Sequence, residues 1–591
     1  MHRLWPVLGV VGLYAGVVLS LGSSSLRTDG PDLSERRATP EAGSGQVKKV
    51  LARARRHMVA AANPLAVDAG LDMLRAGGSA IDAAIATQLV LNLVEPQSSG
   101  IGGGAFLLHW DAAGKSLKTY DARETAPMAA TADRFIPEDG STPNWDRTVH
   151  SGLSVGVPGL LRGLELAHQK HGKLPWADLF LSAIRMSENG FAVSKRLNAL
   201  LAQSGAQAFD ETARRYFFDA SGAPRPVGYV LKNPEFAVVL TRLATEGAGA
   251  FYSGDLAKAL VSKLEAAPNV PGDMTFADIA RYKAIERPPV CATYRGYKVC
   301  GMGPPSSGAL TIAQVLKLIE PFSLGETPLA PGALHLIAEA QKLAFADRGR
   351  YMADADFVPV PRGLLDDGYL QSRRRLIQPD MVIKQAEAGT PPQTSGRLYG
   401  TDATRELPGT SHISVVDAQG NAVSMTTTIE SAFGSRMMVG GFLLNNELTD
   451  FSWTPVDDLG RPRANRVEPG KRPRSSMSPT MIFDPQGKLW AVTGSPGGSR
   501  IILYTLKSIV ALIDWKLDAQ GAADLVNFGS RNGPFEAEIG FAGAQLLAAM
   551  KLRGHKIKPV AMTSGLHIIV VGEDGLEGGA DPRREGVARG D

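Results

Sequence analysis

The chain has 591 residues, 44% of them hydrophobic and 21% charged, with a formal net charge of +4. This describes a soluble globular protein with a large core, and a layered α/β enzyme can reach this length as one unit. The charge is too small and dispersed for nucleic-acid binding, no recognition motif accompanies it, and the run Lys48, Lys49, Arg53, Arg55, Arg56 reads as a solvated helix start.

From the N-terminus, Met1-His2-Arg3 is a short basic segment, Leu4 to Leu21 is uncharged and apolar, and small residues follow at Gly22 to Ser25. That layout predicts a secretory signal over residues 1–25, or an uncleaved membrane anchor, because the apolar stretch is just long enough to span a bilayer. Either way the body of the protein is expected outside the cytoplasm, in a bacterial periplasm, with anchoring to the inner membrane by residues 4–21 as the variant. Residues 26–57 are polar and rich in Gly and Pro, and are expected to be a disordered leader.

Asn63-Pro64 predicts a helix start and Gly77-Gly78 its end. Ser79 caps a second helix that stops at Pro96 and is apolar on most faces, hence deep in the core. Strands are predicted over 106–110 and 117–120, then helices over 160–171, 176–189 and around 230–246. Cys291 and Cys300, the two cysteines of the chain, flank a candidate Arg295-Gly296 hairpin turn. Counting outward from the turn places them opposite one another at a non-hydrogen-bonded pair, which favours a disulfide over two buried thiols. No metal is expected, since neither a CxxC motif nor a nearby His pair is present. Residues 378–406 are rich in Thr, Pro, Gly, Gln and charge and predict a mobile linker. Beyond it, 412–416, 422–429, 480–483, 489–493 and 566–571 are strand-like. The class is layered α/β with a sheet-rich C-terminal part.

Two motifs are decoys. Gly100 to Ala105 fits G-x-G-x-x-A, but a helix precedes it and a strand follows, the reverse of what a dinucleotide site needs. Gly152-Leu-Ser154-Val-Gly156 fits the nucleophile elbow, yet the segment entering it is polar. Ser154 is kept as an alternative nucleophile. The stronger signal is Pro408-Gly409-Thr410-Ser411-His412, where the linker meets a strand. A threonine hydroxyl needs a base beside it. An N-terminal threonine carries one in its own amine, of pKa about 7.7. Freeing that amine requires cutting the Gly409–Thr410 bond.

In its motifs and their order the chain after about Met58 resembles the γ-glutamyltransferase (glutathione hydrolase) family of N-terminal-nucleophile hydrolases. The resemblance is carried by Glu95 to Gly104, Asp121 to Pro127, Gly156 to Gly159, Tyr294 to Tyr297, Pro304 to Gly308 and Thr410 to Asp417. It continues through Leu444 to Asn446, Pro469 to Pro473, Ser475 to Pro479 and Gly494 to Arg500. It implies a four-layer αββα sandwich built from two subunits of one cleaved precursor, a large subunit over 58–409 ending in the linker 378–409, and a small catalytic subunit over 410–591. It implies Thr410 as nucleophile, Thr428 as its hydrogen-bond partner, and Gly497 and Gly498 as the oxyanion hole. Arg123, Ser475 and Ser476 match positions that hold a substrate α-carboxylate. The implied activity is transfer of the γ-glutamyl group of substrates such as glutathione to water or to an amino acid or peptide, with no cofactor.

One position departs from the family. Glu430 stands where an asparagine is usual and joins Glu447 and Asp450 around the expected ammonium site, so three carboxylates demand a raised pKa or a cation, expected from Arg474 or Arg436. The stretch from Asp450 to Ser475 is short, which predicts a more open pocket. Cephalosporin or glutaryl-type acylase activity is the runner-up reading, with a non-catalytic homologue behind it.

Overall fold

The computed structural model describes residue 43 and residues 45–591, except 142, 394–398, 403 and 405–408. The expected signal or anchor over 1–25, most of the leader and part of the linker lie outside the described residues.

Two seven-stranded sheets, with every neighbouring pair antiparallel, stack face to face. One runs in the order Val587–Gly590, Met58–Ala61, Thr410–Val416, Ala422–Thr428, Gly104–Asp111, Ser116–Ala122, Ile285–Arg287. The other runs Ala52–Ala54, Gly575–Ala580, His567–Gly572, Leu489–Thr493, Thr480–Phe483, Tyr297–Gly301, Val290–Tyr294. Their facing sides bury Met58, Phe106, Leu108, Met481, Val492 and Ile569 in one cluster. Outside the first sheet a second core gathers the helices Pro64–Arg75 and Ala80–Val94, and outside the second sheet a third gathers Gly308–Ile319, Pro331–Tyr351 and Ile501–Ile513. The four layers are helix, sheet, sheet, helix. Alternation puts one side of each strand between the sheets and the other under helices, so the central strands Thr410–Val416 and Ala422–Thr428 are buried on both faces.

Local chemistry sets the helix ends as expected. Asn63 accepts from the Leu65 amide ahead of Pro64, and Ser79 and Asp82 form a reciprocal capping box. Every residue of Ala80–Val94 is buried. The hairpin turn at Arg295-Gly296 has positive φ at both residues, and Cys291 faces Cys300 across it in a disulfide.

Three expectations are corrected. The basic run forms no helix, because Ala52–Ala54 is an edge strand paired with Gly575–Ala580 and Val47 donates to Pro582 O, so the end of the leader belongs to the sheet. The segment 176–189 divides into a 3-10 turn, Trp176–Phe180, and a helix, Leu181–Asn189. The described upstream part of the linker is fastened along the helix Pro331–Tyr351: Ile383 N donates to Glu339, Gly389 N to Asp347, and the Tyr351 hydroxyl to Gly389 O. Polar composition there reflects backbone groups satisfied by buried side chains. Among the described residues no helix is long and apolar enough to cross a membrane.

Candidate active site

Thr410 opens a central strand and stands opposite Thr428 on the neighbouring one. The Thr428 hydroxyl accepts from the Glu430 amide at 2.7 Å and donates to the Gly409 carbonyl at 2.8 Å. The carbonyl just ahead of Thr410 is therefore polarised by a fixed donor. A Cβ at Gly409 would lie 2.2 Å from Glu430 O, so only glycine lets the chain pass here. Arg584 Nη1 holds the Thr410 carbonyl at 3.3 Å.

Thr410, Thr428, Glu430, Glu447, Asp450, Ser475, Ser476 and Gly498 line one pocket. Gly497 and Gly498 have φ of 138° and 54°, and a Cβ on Gly497 would meet the Tyr504 ring at 2.5 Å. The pair leads into the helix Ile501–Ile513, whose N-terminal end favours negative charge. Glu447 and Asp450 sit on a short 3-10 turn fixed by the two preceding asparagines. Asn445 bonds Gly102 O and Gly156 O, while Asn446 is bonded to Ser431 in both directions. Within this pocket Thr410 is 4% exposed and Asp450 6%. The stretch after Asp450 folds back on itself, Ser452 N donating to Asn465 O and Asn465 Nδ2 to Asp450 O.

Arg123 is fully buried behind this pocket. Its guanidinium donates to Glu447 and Asp450 and to the carbonyls of Pro473 and Arg474. Burial works against its charge, but Glu447, Asp450 and Glu124 outweigh burial and raise its pKa. Burial, reinforced by Glu447, also pushes the Glu124 carboxyl well above the usual carboxylate range. Arg123, which the sequence reading did not name as the cation of the acidic cluster, thus engages both Glu447 and Asp450. Arg474 pairs with Asp402 at 2.9 Å; burial would raise the Asp402 pKa, but Arg474 and Thr404 hold it below its ordinary value. Arg436 lies over the Phe209 ring, 5.6 Å from its centre.

On the other wall, Ser475 Oγ accepts from the Met477 amide at 3.1 Å, and Ser476 Oγ accepts from Arg348 Nη2 at 2.7 Å. Arg348, Glu124 and Arg584 were not found by sequence reasoning. The one cue for Arg348 is a long helix, Pro331–Tyr351, that buries Glu339, Lys342, Asp347 and Arg348 among its alanines.

The alternative nucleophile is excluded by geometry. Ser154 is fully buried in a 3-10 turn, and its hydroxyl faces Ser151 O at 2.7 Å and Val149 O at 3.0 Å. The Gly100–Ala105 loop serves close packing, a Cβ on Gly103 meeting Thr428 O at 2.0 Å. His412 faces the Thr426 and Ser414 hydroxyls at 2.9 and 3.1 Å, and burial, with His567 beside it, holds its pKa well below 6.5, so it stays neutral. Among the described residues one group could offer ligands to a metal: His335, Glu339 and His555. Lys342 already donates to Glu339 at 2.7 Å and His335 is bonded to both His555 and Gln378 O, so the group reads as a staple between helix and linker.

A family model described as Gamma-glutamyltranspeptidase matches residues 66–590. A glutathione hydrolase proenzyme of Bacillus subtilis is 36% identical over 546 residues, covering 90% of this chain and 91% of its own. An acylase ACY 1 proenzyme of a Pseudomonas species is 34% identical, covering 93% and 96%. The crystal structure of a cephalosporin acylase from Bacillus halodurans superposes with a TM-score of 0.80 at 28% identity, covering 92% and 97%.

Proposed function

This chain belongs to the gamma-glutamyltranspeptidase family, and from that premise we propose that it cuts itself at Gly409–Thr410 and uses the freed Thr410 as its nucleophile. It is an enzyme of the glutathione hydrolase kind, acting on γ-glutamyl amides and passing the acyl group to water or to an amino acid or peptide. The observation that carries the cleavage is the Thr428 hydroxyl on Gly409 O, the carbonyl of the bond to be cut ahead of Thr410.

In the first stage Thr410 Oγ attacks the Gly409 carbonyl carbon. The C–N bond breaks, the hydroxyl proton passes to the leaving nitrogen, and water hydrolyses the ester to a Gly409 carboxylate and a free Thr410 amine. In the second stage that amine takes the proton from Thr410 Oγ as the oxygen attacks the γ-carbonyl of the donor. The Gly497 and Gly498 amides receive the oxyanion, the amine leaves with a proton, and water or an amine acceptor releases the acyl group. His412 is not the base, because its two ring nitrogens face the Thr426 and Ser414 hydroxyls.

Binding of the donor exchanges one ion pair for another. A γ-glutamyl head is a zwitterion. Its ammonium attracts Glu430, Glu447 and Asp450, and its carboxylate meets Ser475, Ser476 and the guanidinium of Arg123. Glu447 and Asp450 shift from Arg123 to the ammonium, and Arg123 from them to the carboxylate, so no charge is left buried without a partner. A glutaryl donor has no ammonium to draw the carboxylates off Arg123. The acylase reading is supported by the likeness to the Pseudomonas and Bacillus halodurans proteins, but this acidic pocket favours the γ-glutamyl donor. Assaying γ-glutamyl and glutaryl anilides side by side decides the matter: preference for γ-glutamyl supports the reading, and preference for glutaryl overturns it.

Export to the periplasm, by a cleaved signal or with residues 4–21 kept as an anchor, is proposed from the sequence of the first 25 residues. The Cys291–Cys300 bond supports an oxidising compartment. Cell fractionation tests it, and activity confined to the cytoplasm would refute it.

A further inference from the structure

We propose that Arg348 is a positioning residue that turns Ser475 and Ser476 into a two-donor clamp for the donor's α-carboxylate. The inference rests on the reading that these serines face that carboxylate. Arg348 comes from the helix Pro331–Tyr351, more than a hundred residues from the serines, and is buried behind them. Its Nη2 donates to Ser476 Oγ at 2.7 Å and its Nε to Ser307 Oγ at 2.8 Å. Ser307 in turn fixes the Ser475 carbonyl, through its amide at 2.8 Å and its hydroxyl at 2.7 Å. One guanidinium therefore organises both serines, one directly and one through Ser307.

Proton bookkeeping gives the arrangement its direction. A guanidinium has donors only, while a hydroxyl has one hydrogen and two lone pairs. Ser476 Oγ must accept from Arg348, so its own hydrogen is turned to an acceptor. The Met477 amide imposes the same state on Ser475 Oγ. Two neighbouring hydroxyls, each accepting one bond, keep their O–H groups as donors, which matches the two oxygens of a carboxylate. Arg348 is bonded to Ser476, and Glu430, Glu447 and Asp450 line the same pocket as the two serines. Carboxylates and serine donors together discriminate the two ends of an α-amino acid head.

The test compares γ-glutamyl-p-nitroanilide with 4-aminobutanoyl-p-nitroanilide, which differs from it only by loss of the α-carboxylate. Arg348→Gln is expected to raise KM for the γ-glutamyl donor about tenfold with kcat largely kept, the loss of a charge-assisted contact. The 4-aminobutanoyl donor is expected to change by less than about twofold, since it never used the clamp. Arg348→Lys keeps the charge but not the fork, and is expected to restore part of the preference. An equal loss on both donors would mean that Arg348 only supports the fold, and overturns the proposal. If Arg348→Gln does not fold, the Lys variant carries the test alone: an intermediate preference supports the clamp and an unchanged one overturns it. A native enzyme that ignores the α-carboxylate altogether would instead refute the γ-glutamyl reading itself.

Discussion

Thr428 and Glu430 are where single atoms carry most of the account. If the Thr428 hydroxyl polarises the scissile carbonyl, Thr428→Val keeps the shape and removes about 1 kcal/mol of hydrogen bonding. The smaller fragment should then form roughly fivefold more slowly in a time course on denaturing gels; an unchanged rate would place the hydroxyl outside the cleavage step. Glu430 has a φ of 77°, a conformation asparagine adopts more readily than most residues. Glu430→Asn should fold normally and keep γ-glutamyl activity. With one carboxylate fewer, its kcat/KM for glutaryl relative to γ-glutamyl anilide should rise, and a constant ratio would argue against charge as the selector. At this scale Thr410 and the acidic cluster were legible in the sequence because a short motif spells them out. The partner of that cluster was not. Arg123, Arg474 and Arg436 are equally good cations on paper, and only packing brings Arg123 to Glu447 while Asp402 engages Arg474.

Segments follow local rules wherever the local rule is strong. Asn63-Pro64, Ser79 and the Arg295-Gly296 turn behave as their chemistry dictates, and the strands after Thr410 lie within a residue or two of where alternation put them. The leader's end and the linker were misread for one shared reason. Both are polar segments whose backbone groups are satisfied by distant partners, Gly575–Ala580 for one and Glu339 and Asp347 for the other. Composition carries no trace of such long-range pairing. The glycine turn ahead of Ile501–Ile513 offers a direct test at this scale. Gly497→Ala would place a methyl against the Tyr504 ring at a φ of 138°, displacing the amides aimed at the oxyanion. A fall in kcat of about a hundredfold or more is expected in a protein that still unfolds cooperatively; near-normal kcat would remove these amides from the oxyanion site.

Across the whole molecule, the sheet that holds Thr410–Val416 is shared between chain on both sides of the cleavage point, with Met58–Ala61 on one flank and Ala422–Thr428 on the other. Cutting at residue 409 therefore leaves two fragments that are one folded body, and the pairing order that makes this so could not be read from sequence. Buried histidines set the pH response of that body. Burial holds His109 and His567 down to about 3, against an unfolded value near 6.5. Between those values the unfolded chain binds more protons than the native one, so stability is full above about 6.5 and falls as pH drops toward 3. The thermal midpoint of the cleaved protein should hold from pH 7.5 to about 6.5 and then fall steadily toward 4.5, and a flat profile would mean these rings protonate within the fold.

The most direct measurement is a denaturing gel of the purified active enzyme with N-terminal sequencing of the smaller band. The account predicts two fragments, the smaller beginning Thr410-Ser-His-Ile, and neither fragments nor activity from Thr410→Ala. Full activity in a single unbroken chain, or a small fragment that starts at any other residue, would contradict it.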